Sequence, residues 1–98
     1  MRATFHPEAH DEMIESARFY EGRSQGLGRD FINAVEETIR RIKRFPKAGP
    51  IHRANIRKRL VPGFPVTILY ELLPDQIFVA AVMHQRRRPD YWKTRLGP

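Results

Sequence analysis

Between Pro7 and Gly22, apolar side chains recur at Ala9, Met13, Ala17 and Tyr20, the spacing that lines one face of an α-helix. Pro7 suits the first turn, and Glu8, Asp11 and Glu12 complement the positive end of the helix dipole. The run Gly22 to Gly28 breaks the pattern. A second stripe, Phe31, Ile32, Val35, Ile39 and Ile42, then defines a more amphipathic helix, with Glu36–Arg40 and Glu37–Arg41 four apart on its outer side. Pro46 stops it. Beyond Pro50 the periodicity changes from helix to strand. Ile56 to Val61 alternates basic and apolar residues, and Phe64 to Leu72 and Ile77 to His84 are rich in β-branched and aromatic residues. Pro62-Gly63 and Leu73-Pro74-Asp75-Gln76 supply the turns between them. With a short opening strand at Ala3 to His6, the pattern predicts an α+β domain in the order β-α-α-β-β-β. A two-helix hairpin covers one face of a small antiparallel sheet, and a short helical turn follows between Pro89 and Arg95. The opposite sheet face is expected to be free for function.

With 98 residues the chain is read as one domain, 1–98. Cysteine is absent, which excludes disulfides, thiolate metal sites and a cysteine nucleophile. The opening residues have no apolar targeting core, and the longest apolar run, Ile77 to Met83, falls far short of the ~20 residues of a spanning helix. The expected location is therefore the cytoplasm. Charge adds more. Residues 1–37 hold four arginines against eight acids, a net of −4, whereas residues 38–98 hold fourteen Lys/Arg against three acids, a net of +11. A basic half of this kind points to nucleic acid, an acidic protein partner or an anionic membrane. The membrane ranks last, because most of the cations lie outside any amphipathic helix.

Several residues carry candidate chemistry. Arg57 and Arg59 share one face of their strand, where two guanidinium forks can grip successive phosphate oxygens, and Lys58 stands on the other face. The plain alternative is an edge strand protected by charge. His84 ends an apolar run two positions before Arg86, placing a proton carrier near a cation. Arg86, Arg87 and Arg88 lead into Tyr91 and Trp92, a mixture that can hold phosphates and stack bases, although either aromatic can equally pack the C-terminus onto the body. Gly22, Gly26 and Gly28 lack the Gly-Lys-Ser/Thr of a phosphate loop and read as a helix–helix turn. His6 and His10 are four apart without the intervening glutamate of a zinc motif, so no metal and no cofactor are expected.

In order and spacing, these segments resemble the RelE/ParE superfamily of toxins from bacterial type II toxin–antitoxin modules, the plasmid-stabilisation type. The resemblance runs from about Phe5 to Arg95. It is carried by Phe5-His6-Pro7-Glu8-Ala9, by Tyr20 before Gly26-Leu27-Gly28, and by Arg44-Phe45-Pro46-Lys47-Ala48-Gly49. Arg57-x-Arg59, Phe64-Pro65-Val66-x-Ile68-x-Tyr70-Glu71 and the stretch Val79 to Trp92 complete it. It implies helices on one side of an antiparallel sheet and a cognate antitoxin whose acidic, disordered tail wraps the toxin.

The resemblance leaves two targets open. RelE-type members cleave mRNA on the ribosome, and ParE-type members poison DNA gyrase. RNA cleavage is put first, with Arg57, Arg59 and Arg86 clamping the phosphate, His84 or Tyr91 moving protons, and Lys58, Arg87, Arg88 and Trp92 binding nucleic acid or antitoxin. The pattern departs from the lysine-rich RelE site, since this strand offers only Lys58. Glu71 is the one strand acid available to support a histidine. The alternative is a non-catalytic inhibitor of gyrase. A helix-turn-helix DNA-binding module fits poorly, because the acidic residues 1–37 would have to approach phosphate. Arg57, Arg59, His84 and Arg86 are expected to share one cleft.

Overall fold

A computed structural model describes residues 1–96. The elements follow in the order β1 (Arg2–Phe5), α1 (Pro7–Arg23), α2 (Leu27–Arg44), β2 (Ile51–Arg53), β3 (Ile56–Leu60), β4 (Val66–Leu72) and β5 (Gln76–His84). A 3-10 turn spans Lys93–Arg95. The strands form one sheet ordered β1-β5-β4-β3-β2. The β5-β4-β3 meander is antiparallel as expected, and β1 joins its edge parallel to β5. The sequence pattern did not reveal β2, which pairs with β3 across the Ala54-Asn55 turn. No helix is long and apolar enough to cross a membrane, among the described residues.

The His6 imidazole caps α1, its Nδ1 accepting from the Glu8 N–H at 3.0 Å. Gly26 starts α2 in the left-handed region (φ 86°), where a side chain would be strained. Glu21 of α1 reaches across this turn, its carboxylate accepting from Gly26 N–H (3.0 Å) and Gly28 N–H (3.0 Å). These backbone bonds hold its carboxyl below the usual range. The anion in the glycine-rich turn is thus the protein's own.

Phe31, Val35, Ile39 and Ile42 of α2, with Ala9 of α1, bury against Val66, Ile68, Tyr70, Ile77, Val79 and Val82 of the sheet. Burial of such a surface, at roughly 25 cal/mol per Å², is what holds the hairpin down. The opposite face differs from the expectation that it would be open. Trp92, 2 % exposed, packs there on Ile56, Leu69 and Ala81, and its Nε1–H donates to Pro89 O at 2.8 Å. The C-terminal segment therefore builds a second, smaller core.

The two helices meet most closely at Gly28, where an added Cβ would lie 2.6 Å from Ala17 O. Gly28→Ala should therefore cost about 1–3 kcal/mol by overpacking. Urea unfolding checks this, the expected result being a lower midpoint with an unchanged slope.

Candidate functional site

Arg57 and Arg59 do share a face, but it is the helix-covered one. Arg57 pairs with Tyr70 and Arg59 with Ile68, both in the principal core. Arg57 Nη1 donates to Lys47 O (3.0 Å) and Gly49 O (2.9 Å), and Tyr70 Oη donates to Pro46 O (2.9 Å). The guanidinium thus ties the chain after α2 to the sheet. Burial raises the Tyr70 phenol, with Arg59 and Arg57 opposing. Lys58 is exposed on the other face, beside exposed Leu60.

The strand register separates these arginines from His84. Arg57 is level with Val79 of β5, and Arg59 with Val82. At ~3.3 Å per residue and ~4.8 Å per strand, Arg57 lies about 16 Å along the sheet and about 10 Å across it from His84; Arg59 lies about 7 Å along and about 10 Å across. Arg57, Arg59 and His84 lie on the same sheet face, so the residues expected to share a cleft with Arg86 are spaced across that face. Two clefts that His84 lines include neither Arg57 nor Arg59.

The structure instead assembles His84 with Arg86, Arg87 and helix α1. One cleft of about 270 Å³ is bounded by Glu12, Phe19, Tyr20, His84, Arg87 and Tyr91. A second, of about 330 Å³, is bounded by Phe19, Tyr20, Arg23, His84 and Arg86. They share Phe19, Tyr20 and His84. His84 Nδ1 accepts from Arg86 N–H at 3.1 Å, which fixes the turn leaving β5. Arg86, Arg87 and Arg88 are all exposed on that turn.

Behind the first cleft is a buried cluster that the sequence did not disclose. β1 ends level with Val79, and His6 N–H donates to Val79 O at 2.9 Å. From there the chain turns into α1 and the edge of β5 loses its neighbour. A bulge also leaves Ala80 without a partner on β4, since Leu69 pairs with Ala81 and Tyr70 with Val79. Side chains complete the edge. Glu12 Oε1 accepts from Val82 N–H (3.0 Å), and Arg95 Nη1 donates to Ala80 O (3.1 Å). The two then pair with each other, Arg95 Nη1 to Glu12 Oε1 at 2.9 Å and Nη2 to Oε2 at 2.8 Å. Tyr91 Oη donates to Glu12 Oε2 at 2.6 Å. Arg95 Nε lies 2.9 Å from Glu8 Oε2, close enough for an ion pair but without hydrogen-bond alignment.

The side chains of Arg95 and Glu12 are only 7 % and 13 % exposed. Burial alone would raise the Glu12 carboxyl, but the hydrogen bonds from Arg95, Tyr91 and Val82 outweigh it and hold the carboxyl below the ordinary range. Arg95 is raised in turn, chiefly by its hydrogen bond to Glu12. Burial and the Glu12 hydrogen bond push the Tyr91 phenol far up, so it keeps its proton near neutrality. Two guanidinium groups lie against its ring, Arg87 at 4.1 Å and Arg95 at 4.9 Å from the centroid. Tyr91 is therefore a poor general base here, and buried Trp92 is removed from the binding surface expected of it. Among the described residues, no group of three or more His, Asp or Glu could hold a metal ion.

The two-helix hairpin on a mixed sheet matches a solved structure described as the chromosomal ParDE TA system from P. aeruginosa. The match has a TM-score of 0.61 and 11% identity, and covers 86% of this chain and 95% of that one. At that identity the likeness speaks for the fold. The family model for the ParE toxin of the type II toxin–antitoxin system, parDE, matches residues 3–89, and the chain belongs to that family. Membership implies an antitoxin partner. No curated protein matches the chain.

The buried pair has a measurable consequence. Glu12→Gln leaves the Arg95 guanidinium buried with its main counter-charge gone, a change that costs about 3–5 kcal/mol where partners are this enclosed. The pH dependence has a definite sign. A depressed carboxyl stabilises fully above its unfolded value, about 4.3, and loses that contribution as pH falls through the lower folded value. Thermal melts of the parent should thus drop steeply below about pH 4, and Glu12→Gln should lack that component.

Proposed function

We propose that this toxin arrests growth by binding DNA gyrase, in the cytoplasm, without cleaving RNA, and that its antitoxin covers the basic half of the chain. One observation carries the reading: of the groups assigned to an RNA transesterification, Arg57 and Tyr91 are tied to other partners and Arg59 lies two strands from His84. Cleavage calls for a proton acceptor, cations around the phosphorane and a donor to the leaving oxygen. Arg57 is committed to two backbone carbonyls, Arg59 lies two strands away from β5, and Tyr91 holds its proton against Glu12. General acid–base catalysis typically contributes ~10²–10⁴ in rate, and that gain requires the partners to sit within hydrogen-bond reach of one scissile group. The family match supports the gyrase reading, since ParE-type members poison that enzyme.

RNA cleavage, put first on the sequence, keeps one observation in its favour, the convergence of His84, Arg86 and Arg87 on neighbouring clefts. The two readings separate in one pair of assays. Purified protein should block supercoiling by gyrase and leave the mRNA of translating ribosomes uncut, and pre-mixing with the cognate antitoxin should abolish the block. Cut mRNA with unimpaired supercoiling would reverse the assignment.

A further inference from the structure

Six of the chain's 18 Lys/Arg are engaged by carboxylates or backbone carbonyls among the described residues. Arg40 and Arg41 face Glu37, Arg53 and Lys93 face Asp90, Arg95 meets Glu8 and Glu12, and Arg57 holds backbone carbonyls. Among the described residues, exposed Arg86, Arg87 and Arg88 make no ion pair. Across the groove from this turn stands Phe19 of α1, 57 % exposed, with the Arg23 guanidinium 5.3 Å from its ring centroid. An exposed phenylalanine alone means little. This one lies on two clefts that His84 lines, with Arg23 and Arg86 bordering one and Arg87 the other.

We propose that this groove binds a short stretch of single-stranded nucleic acid, with one base stacked on Phe19 and the flanking phosphates held by Arg23, Arg86 and Arg87. A half-exposed aromatic ring, with Arg23 over it and Tyr20 at 5.4 Å in a T-shaped contact, and further cations beside it are what sequence-tolerant single-strand binding requires. A duplex keeps its base faces stacked away and would use only the arginines. A purely acidic polymer would satisfy the charges but leave the flat ring without a planar partner, and the antitoxin proposed over the basic half would compete with the strand for these arginines. His84 supplies a polar group at the same place, because its Nδ1 is engaged by Arg86 N–H and its Nε2 remains to meet a base edge. The aromatics after the arginine run that suggested stacking, Tyr91 and Trp92, are both tied into the C-terminal packing. Phe19, 72 residues before Tyr91 in the chain, takes over that task. The proposal goes beyond the reading of the target and holds whether or not gyrase is that target.

The test uses the full-length chain and a fluorescent oligothymidine of about 12 nucleotides, followed by anisotropy across a salt series. The parent should bind the single strand more tightly than the matching duplex or a polyglutamate of equal charge. Phe19→Ala should weaken single-strand binding about tenfold or more while leaving the salt slope unchanged, and Phe19→Trp should restore it. Arg86→Gln and Arg87→Gln should each reduce the slope by about 0.7. All four substitutions are at exposed positions, and circular dichroism checks that each variant is folded. Equal affinity of Phe19→Ala and the parent overturns the proposal, as does tighter binding of the duplex or the acidic polymer.

Discussion

The structure depends on how the edge of β5 is finished where β1 runs out. A sheet edge with unpaired N–H and C=O groups is costly when buried and adhesive when exposed. Here Glu12 from α1 and Arg95 from the C-terminal turn take the positions of a missing strand, one accepting from Val82 N–H and the other donating to Ala80 O. Their mutual pairing joins residues 83 apart in the chain, so the first helix, the last strand and the C-terminal segment are fastened at one point. Tyr91, held to the same carboxylate, and Trp92, seated on Ile56, Leu69 and Ala81, then carry that segment over the sheet face opposite the helices. The basic turn Arg86–Arg88 is held from both ends, by β5 before it and by this packed segment after it.

That arrangement explains which parts of the fold were legible in the sequence. The stripe Phe31 to Ile42 and the apolar strands Val66–Leu72 and Gln76–His84 bury against one another, so periodicity alone located them. β2 was missed because its three residues, Ile51, His52 and Arg53, are too few to show a period and are defined as a strand by their pairing with β3. The parity argument for Arg57 and Arg59 was right that they share a face, but the choice of face rested on packing that no local pattern shows. Ile56 is drawn to the Trp92 side, which leaves Arg57 bonded to the carbonyls after α2 and Arg59 on the same side.

His84 illustrates a different limit. Strict alternation would put it on the opposite face from Ile77 and Val79. The bulge at Ala80 shifts the parity, so His84, paired with Val66, ends on the same face as the principal core and opens beside α1. Phe19 escaped notice for a related reason: as one exposed apolar residue on a helix it carries no signal until the turn after β5 is placed opposite it. Glu12 was read as a dipole-complementing charge in a first turn, where its spacing gives no hint of a partner 83 residues away. Contacts of such sequence separation belong to the tertiary fold.

The functional consequence is that the C-terminal tyrosine, which in sequence looks like a proton carrier beside a row of arginines, acts as a strut between Glu12 and the Arg87 guanidinium. The most direct measurement of this account is the growth arrest caused by Tyr91→Phe when expressed without antitoxin. The ring keeps its packing and its contact with the two guanidinium groups, and only the Oη–H bond to Glu12 is lost, a cost of about 1.5–3 kcal/mol of stability because the acceptor is a charged, buried carboxylate. The account expects arrest equal to that of the parent at matched soluble expression. Loss of arrest in a variant that is folded and present at the parental level would contradict it, because the hydroxyl would then be needed for chemistry rather than for scaffolding.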